Sequence, residues 1–266
     1  MRSGLNFAIR LYRHRSLVAA MALRDVQTRY AGTLAGLVWS LVHPLLIVLI
    51  YWFVFTKGLK VSTAGNMPFI LVFLSGFAPW TAFAESIGAS TTSIMSNPHL
   101  VKKTRFPTEI LPVVCFLSSL MGHAVMLVML LTAMVVNGQG LGLHNLQFIY
   151  FLGAMSLLCI GLGWLVSALN VFCRDVGQAV TVALSMWFWL TPIVWDAKMI
   201  EGRWAWLIRL NPMFHIVEGY RRSFLHHSPP WSDWREAAFF WVFVLLVLVV
   251  GGVLFRRLKG EFAEVL

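Results

Sequence analysis

Few side chains in the apolar part of this chain could carry chemistry. Three ionisable residues, His43, Glu85 and His123, lie within long hydrophobic stretches. Such groups deep in a bilayer are typical of ion or proton pathways in transporters. Glu85 could make a polar contact in a pathway, but its position favours a carboxylate paired with lysine or arginine near the interface. His43 precedes Pro44 and fits a helix irregularity, and His123 fits a neutral hydrogen-bonding group between helices.

No motif of enzymatic chemistry accompanies these residues. The sequence contains no G-x-x-x-x-G-K-[ST], H-E-x-x-H or G-x-S-x-G pattern. Its 11 acidic residues are scattered, without a pair at a spacing that suits catalysis. Cys115, Cys159 and Cys173 lie in or beside hydrophobic stretches and indicate neither a metal site nor a disulfide framework. We expect no catalytic residue, metal or cofactor in this chain, so energy for active transport would come from a partner subunit or an ion gradient.

The composition places the chain in a membrane. Of its 266 residues, 59% are hydrophobic and only 12% are charged, whereas soluble domains carry about 25% charged residues. The formal charge of +10 could suggest nucleic acid. However, the basic residues lie beside apolar stretches, where cytoplasmic anchoring explains them more simply. We expect contacts with membrane lipids, no nucleic-acid partner and no cleaved signal peptide.

Six stretches are long and apolar enough to suggest membrane-spanning helices, since a bilayer core of about 30 Å requires about 20 apolar residues. They are residues 36–55, 69–90, 109–136, 147–172, 176–194 and 237–255. The sequence therefore predicts an all-α, polytopic membrane protein that forms a single domain over residues 1–266. Helices 1 to 5 occupy residues 36–194, helix 6 occupies 237–255, and residues 256–266 form a tail.

The distribution of lysine and arginine orients these helices. Basic residues are concentrated before the first span, in the second and fourth connections and after the sixth span. The first and third connections hold only Lys57 and Lys60. Because cytoplasmic loops carry the excess of basic residues, both termini are predicted to be cytoplasmic.

The connection after the fifth span departs from this pattern, because residues 195–236 are both basic and rich in tryptophan. Tryptophan prefers the headgroup level of a membrane. Asn211-Pro212 is a typical start of a short helix. We predict two short helices that dip into or lie on the outer leaflet, in preference to an ordinary exposed loop.

Two further segments could contact a partner. Residues 1–33 are charged and run without a linker into the first span, so they must lie at the water interface or against another protein. In the second connection, Asn97-Pro98 can begin a short helix and Phe106-Pro107 can end it. This basic element could fit a groove on a partner protein or bind anionic headgroups, and composition leaves both open.

These pieces together resemble a known family. The matching residues are Leu23-Arg24-Asp25, Arg29-Tyr30, Leu37-Val38-Trp39, His43-Pro44, Asn97-Pro98, Leu100-Val101-Lys102-Lys103, the run from Phe106 to Pro112, the run from Phe172 to Val176, and Asn211-Pro212 through Tyr220-Arg221. In this order they resemble the membrane permeases of ABC type-2 exporters that move O-antigen, capsule-like polysaccharide or teichoic acid. Ala35-Gly36 and His43-Pro44 are small departures, because Leu-Gly and Asn-Pro are frequent there in the family.

The resemblance implies a homodimer that pairs with two copies of a cytoplasmic ABC ATPase in the bacterial inner membrane. ATP and Mg would bind that ATPase, which explains the missing phosphate loop, and the substrate would be a lipid-linked polysaccharide. The ATPase-coupling residues would be Asn97, Pro98, Leu100, Val101, Lys102, Lys103, Arg105 and Phe106. Residues 1–33 would form the amphipathic helix that the family has at the cytoplasmic interface. The cytoplasmic gate would comprise Arg24, Asp25, Arg29 and Tyr30. The outer gate would comprise Trp195, Trp204, Trp206, Asn211, Pro212, Tyr220 and Arg221.

Aromatic residues in the spans suit a polysaccharide channel, because sugar rings present apolar C–H faces that stack on aromatic rings. The candidates are Tyr51, Phe55, Phe73, Phe77, Trp80, Trp187 and Trp189. Each could instead face lipid or pack between helices. Two other functions remain open: export of drugs or small lipids by a protein of the same superfamily, and a membrane enzyme acting on lipid-linked sugar. The scattered acidic residues disfavour the enzyme.

Overall fold

The computed structural model describes residues 7, 9, 11–30, 38–60, 67–102, 106–200, 204–226, 228–229 and 234–266. Lys103 and Arg105 lie outside the described residues, as do the side chains of Arg29 and Tyr30. Within the described ranges the chain is helical and contains no strand. The helices are α1 (Arg15–Tyr30), α2 (Trp39–Trp52), α3 (Phe69–Thr92), α4 (Pro98–Val101), α5 (Leu111–Val136), α6 (Phe148–Phe172), α7 (Asp175–Leu190), α8 (Ala205–Arg209), α9 (Pro212–Arg221), α10 (Trp234–Leu258) and α11 (Phe262–Val265).

Five helical segments in the described part of the chain are long and apolar enough to cross a bilayer. They are Trp39–Gly58, Phe69–Thr92, Thr108–Val136, Leu143–Phe172 and Trp234–Leu258. The first includes a π-helical turn, Phe53–Gly58, that continues α2. This architecture confirms the predicted all-α, polytopic membrane fold.

The predicted fifth span is shorter than the sequence suggests. α7 has 16 residues and ends at Leu190, four residues before the predicted boundary. Pro192 explains this end, because proline disfavours helical backbone in the residue before it. Thr191 accordingly has extended dihedral angles, φ −96° and ψ 130°.

The spans differ greatly in how far the subunit buries them. α3 is the most buried of the five and α2 the least. α3 packs against α5, α6 and α9, and α10 packs along α6. The core therefore lies around α3, whereas α2 and much of α7 present apolar side chains at the surface.

The N-terminal helix packs on the beginning of α5. Val18 and Ala22 of α1 are buried against Ile110, Val113 and Val114, and the Ser118 hydroxyl lies 3.3 Å from the Ala22 carbonyl oxygen. The predicted N-terminal helix thus exists and contacts the membrane-spanning part directly.

The segment predicted as a simple tail is packed. Phe262 of α11 is fully buried and its ring meets Phe255 edge-on, with 5.4 Å between the ring centroids. Lys259 Nζ lies 2.6 Å from Glu109 Oε2 at the start of the third span. Val101 and Phe106 pack on the same apolar cluster as Phe262, so this segment supports the turn that contains α4.

Candidate functional site

The second connection forms the short helix that its prolines predict. Pro98 occupies the first turn of α4, where the missing N–H costs nothing. The Asn97 carbonyl accepts from the N–H groups of Leu100 and Val101, and the Asn97 side chain donates to the Ser93 carbonyl at 2.9 Å. The predicted start at Asn97-Pro98 is therefore confirmed, and α4 is held to the end of α3.

Some side chains of this turn pack against the rest of the chain, and others are accessible from outside. Val101 and Phe106 pack into the apolar cluster of their own chain. His99 and Lys102 are exposed and Leu100 is half-buried. A partner could therefore reach His99, Leu100 and Lys102, whereas Val101 and Phe106 stabilise the turn from inside. Their role in ATPase coupling stays a prediction.

The predicted cytoplasmic gate residues lie at the end of α1. Arg24 is exposed and Asp25 is half-buried, and the Thr28 hydroxyl donates to the Asp25 carbonyl at 3.0 Å. The backbone of Arg29 and Tyr30 continues the helix. Their role as a gate stays a prediction.

The predicted channel aromatics of α2 and α3 form one column of stacked rings. Ring centroids lie 4.8 Å apart for Tyr51 and Phe73 and 4.8 Å apart for Phe73 and Phe77. At the other end of the column, Phe55 stacks on Phe69 at 5.1 Å. Offset stacking of this kind adds to the stabilisation from burial alone. The spacing in the sequence therefore identified rings that do share one face.

These aromatic residues nevertheless differ in what they can touch. Phe73 is fully buried inside the subunit, so it acts there as a packing residue. Phe77 and Trp80 are buried but border an open cavity. Trp189 is 58% exposed on the outer surface of α7. Lining of a channel stays a prediction for the whole set, and the cavity gives Phe77 and Trp80 the clearest access to a ligand.

Phe188 is absent from the predicted aromatics, yet it joins the column. Its ring lies edge-on to Tyr51 and Phe77, with 6.2 Å between centroids in each pair. Val180, Leu184 and Phe188 recur every four residues on the face of α7 that packs on the core. That helical period is the signal that identifies Phe188.

The outer segment begins its second helix as predicted. The Asn211 side chain accepts from the Met213 N–H at 3.0 Å and from Trp187 Nε1 at 2.7 Å, and it donates to the Thr191 hydroxyl at 2.8 Å. Asparagine is a preferred N-cap residue because its side-chain oxygen satisfies an unpaired helix N–H. Here the same side chain also fixes α9 to the end of α7.

The remaining outer-gate candidates fall into exposed and buried residues. Trp204 and Trp206 are each 57% exposed, whereas Trp195 is half-buried and donates from Nε1 to the Trp189 carbonyl at 3.0 Å. Arg221 is buried, and its guanidinium donates to the Ile193 carbonyl at 3.2 Å. Burial lowers the pKa of Arg221, and the Glu218 carboxylate 3.7 Å away acts in the opposite direction. Arg221 thus anchors α9 to the segment after α7.

A buried hydrogen-bonded chain joins α9 to α5 and α3. His123 Nδ1 lies 3.1 Å from the Ala78 carbonyl oxygen, and His123 Nε2 lies 3.0 Å from the Tyr220 hydroxyl. Nδ1 must donate to the carbonyl, so in neutral His123 the Nε2 atom accepts from Tyr220. The interpretation of His123 as a hydrogen-bonding group between helices is confirmed.

Replacing Tyr220 with phenylalanine should loosen α9 without removing its ring from the core. The change leaves His123 Nε2 without its buried partner, which costs about 1–3 kcal/mol. We expect a lower melting temperature of the purified chain and faster hydrogen exchange in α9. Phe224→Leu, a change of buried volume without loss of a hydrogen bond, is the control. Unchanged exchange in α9 with Tyr220→Phe would show that the bond does not hold the helix.

A cavity of about 780 Å³ opens between α1, α2, α3 and α5. Its walls contain His43 and Glu85 together with Trp39, Phe77 and Trp80. Two of the three ionisable residues singled out in the apolar stretches therefore meet at one place. Pro44 also borders this cavity. It lies inside α2, and the helix continues past this proline to Trp52.

A polytopic helical chain with a packed basic turn on one connection and an anchored helix pair on another has the features of a membrane-embedded transport subunit. Residues 16–225 match the family described as ABC-2 type transporter. The chain therefore belongs to the ABC-2 type transporter family.

Three relatives show how far the likeness extends. The chain is 28% identical to the O-antigen export system permease protein RfbA of Myxococcus xanthus, over 96% of each chain. It is 26% identical to a protein of the same name from Klebsiella pneumoniae, over 94% of this chain and 95% of the relative. It is 22% identical to the polysialic acid transport protein KpsM of Escherichia coli, over 90% and 92%. These relatives are named as transport proteins, which supports a transport subunit over an enzyme.

Proposed function

We propose that the chain is the transmembrane subunit of an ATP-driven exporter that moves a lipid-linked polysaccharide across the bacterial inner membrane. The observation that carries this proposal is the near full-length similarity to permeases of O-antigen export. The similarity to a polysialic acid transport protein points to the same substrate class. A glycan of the O-antigen, capsule or teichoic acid type is therefore the proposed cargo.

Membership of the ABC-2 type family supports a separate ATPase as the energy source. The sequence has no phosphate-binding loop, so the subunit would depend on two copies of an ATPase that bind ATP and Mg. The turn containing α4 offers a compact contact, because His99, Leu100 and Lys102 are accessible while its other apolar residues are anchored inside.

The apolar surface of α2 and α7 supports a homodimer. Leu41, Leu45 and Leu49 are exposed on α2, and Val182 and Met186 are exposed on α7. In a bilayer these residues can face lipid or a second copy. A second copy placed here would bring two α2–α7 surfaces together and enclose a path between them. With both termini cytoplasmic, the α4 turn would face the ATPase.

The function is tested by deleting the gene in the source bacterium and comparing intact with lysed cells. We expect the glycan to disappear from the cell surface and to accumulate inside as a lipid-linked polymer. A plasmid copy should restore the surface glycan, and a copy paired with an ATPase that lacks its catalytic glutamate should not. Normal surface glycan together with altered sensitivity to drugs would favour the drug-exporter alternative and overturn the proposal.

A further inference from the structure

We propose that another cavity, between the end of α3, the end of α6 and the beginning of α7, binds the head group of an anionic membrane lipid, phosphatidylglycerol. In this site Arg174 pairs with the lipid phosphate, and the buried side chain of Asn170 accepts a hydrogen bond from a glycerol hydroxyl. The site concerns the surrounding membrane and goes beyond the proposed export, because it is the same whatever glycan the protein carries.

This cavity lies near one surface of the membrane. Gly88 lines it about 6 Å before the end of α3 at Thr92, at 1.5 Å per residue. Thr181 lines it about 9 Å after the start of α7 at Asp175, and Asn170 lies about 3 Å before the end of α6. The cavity is therefore within about two helical turns of the ends of these helices, where lipid head groups are found. In the proposed orientation this is the cytoplasmic surface.

The feature of this cavity that requires a ligand is the side chain of Asn170. Asn170 is only 3% exposed and lines the cavity. Its Nδ2 atom lies 3.2 Å from Met95 Sδ, but no group in the described part of the chain donates to its Oδ1 atom. Buried polar atoms are nearly always hydrogen-bonded, because an unpaired one is costly. A donor from outside the chain is therefore expected at Oδ1.

Two threonine hydroxyls add further acceptors to the same wall. The Thr91 hydroxyl donates to the Ile87 carbonyl at 2.8 Å, and the Thr181 hydroxyl donates to the Gly177 carbonyl at 3.0 Å. A hydroxyl has a single proton, so both oxygens are left to accept. The group that reaches Asn170 must therefore bring its own O–H or N–H donors.

The charge of the cavity selects an anion whose donor group is neutral. Arg174 is exposed and is the one formally charged residue among the described residues that line the cavity. It directly precedes α7, whose 16 residues give its first turn a partial positive charge. A Cβ atom on Gly177 would lie 3.3 Å from Asn170 Oδ1, so that oxygen lies beside the same turn. A phosphate is attracted to this place, whereas an ammonium group at Asn170 is disfavoured and a hydroxyl is not.

Phosphatidylglycerol combines these two properties in one head group. Its phosphodiester is an anion, and the glycerol beyond it carries two neutral hydroxyl donors. Basic pockets between membrane helices bind lipid head groups on the cytoplasmic side. The volume of about 360 Å³ is near the lower end of the range for ligand pockets, about 300–1,000 Å³, which suits a head group whose acyl chains remain in the bilayer. Free glycerol 3-phosphate has the same chemistry, so the test separates the lipid from the soluble ester.

The test measures binding of single lipids to the full chain by native mass spectrometry. Three lipids with identical dioleoyl chains are compared: phosphatidylglycerol, phosphatidylethanol, which has the same charge but no hydroxyl, and phosphatidylethanolamine. We expect phosphatidylglycerol to bind about fivefold more tightly than phosphatidylethanol, the effect of one additional hydrogen bond. Phosphatidylethanolamine should bind more weakly than phosphatidylglycerol, and free glycerol 3-phosphate in large molar excess should not displace the lipid.

Two substitutions separate the roles of the hydroxyl and the phosphate. Asn170→Leu keeps the approximate size of the side chain, so it should abolish the preference for phosphatidylglycerol over phosphatidylethanol. It should not lower the melting temperature of the lipid-free chain, because Oδ1 makes no hydrogen bond there that could be lost. Arg174→Gln should weaken both anionic lipids about tenfold, as expected for a charge-assisted hydrogen bond. Arg257→Gln, at an exposed cation in the last turn of α10, should weaken neither.

A glycine on the wall allows the cavity to be filled. Gly88 is exposed, and no atom of a described residue outside its own helical backbone lies within 4 Å of its Cβ position. Gly88→Leu therefore places a side chain in open space at the cavity, and we expect the preferential binding of phosphatidylglycerol to be lost. Gly153 of α6 is exposed with an equally open Cβ position, so Gly153→Leu is the matched control and should bind the lipid normally. If Asn170→Leu fails to fold, this pair still decides the question.

Several results would overturn the proposal. Equal binding of phosphatidylglycerol and phosphatidylethanol would mean that an ordered water, and no lipid hydroxyl, satisfies Asn170. Tighter binding of phosphatidylethanolamine, or a preference for phosphatidylglycerol that survives Asn170→Leu, would also contradict it. Displacement by glycerol 3-phosphate would assign the cavity to a soluble ligand. Lipid binding is measured without ATPase or glycan, so this site and the proposed export can fail separately.

Discussion

Replacing Gly251 with alanine should prevent α10 from packing against α6. A Cβ atom on Gly251 would overlap the carbonyl oxygen of Gly161, and a backbone atom inside a helix cannot rotate away. On the other side of this contact, a Cβ on Gly161 would lie 3.0 Å from the Leu248 amide nitrogen. Close approach of helix backbones at small residues is a main source of helix association in membranes. Losing it by overpacking should cost about 3 kcal/mol or more.

The measurement is the fraction of detergent-purified protein that elutes as a single species, together with its melting temperature. Gly252→Ala is the matched control, because its Cβ would lie 3.5 Å from the nearest atom of Trp164, an ordinary contact. We expect Gly251→Ala to aggregate or melt many degrees earlier and Gly252→Ala to behave as the unchanged protein. Equal stability of the two variants would show that α6 and α10 separate at little cost.

Replacing the accessible apolar and basic residues of the turn containing α4 with acidic residues should abolish assembly with the ATPase. The double change Leu100→Asp and Lys102→Glu alters an accessible apolar residue of a four-residue helix and the exposed cation directly after it, while Val101 and Phe106 keep the turn packed. An acidic residue placed in a partner's apolar pocket would be buried without a counter-charge, which costs several kcal/mol. Affinity should therefore fall by about a hundredfold or more.

Co-purification of the tagged chain with the ATPase measures this effect, and export of the glycan is the second measurement. Arg257→Glu reverses a charge at an exposed position on α10 and should leave both unchanged. Retained assembly in the double variant would contradict the coupling role of the turn. Lost assembly together with lost membrane expression would point to misfolding, so expression is measured in the same samples.

Local signals in the sequence predicted several features of the structure. Asn97-Pro98 and Asn211-Pro212 each begin a helix where expected, because capping and the first-turn proline act within a few residues. Five of the six predicted spans follow from hydrophobic length in the same way. Those features depend on the chain near each residue and hardly on the rest of the fold.

Other features depend on which helices become neighbours. Phe73 and Trp189 both fit a channel aromatic by residue type, yet one is fully buried and the other mostly exposed. The cavity joins His43 and Glu85 from different spans, a meeting that helical periodicity within either span cannot reveal. The burial of Phe262 against Phe255 and the pairing of Lys259 with Glu109 likewise arise from distant parts of the chain.

The early end of α7 has a consequence for the surrounding lipid. Sixteen helical residues extend about 24 Å, less than the hydrocarbon thickness of about 30 Å. The non-helical residues after it are buried, and the Ile193 carbonyl accepts from Arg221, as irregular backbone at membrane depth requires. A helix shorter than the hydrocarbon core is accommodated by local thinning of the bilayer or by association with other helices. A membrane of shorter acyl chains fits this helix with less deformation, so the thickness of the bilayer affects the position of α7.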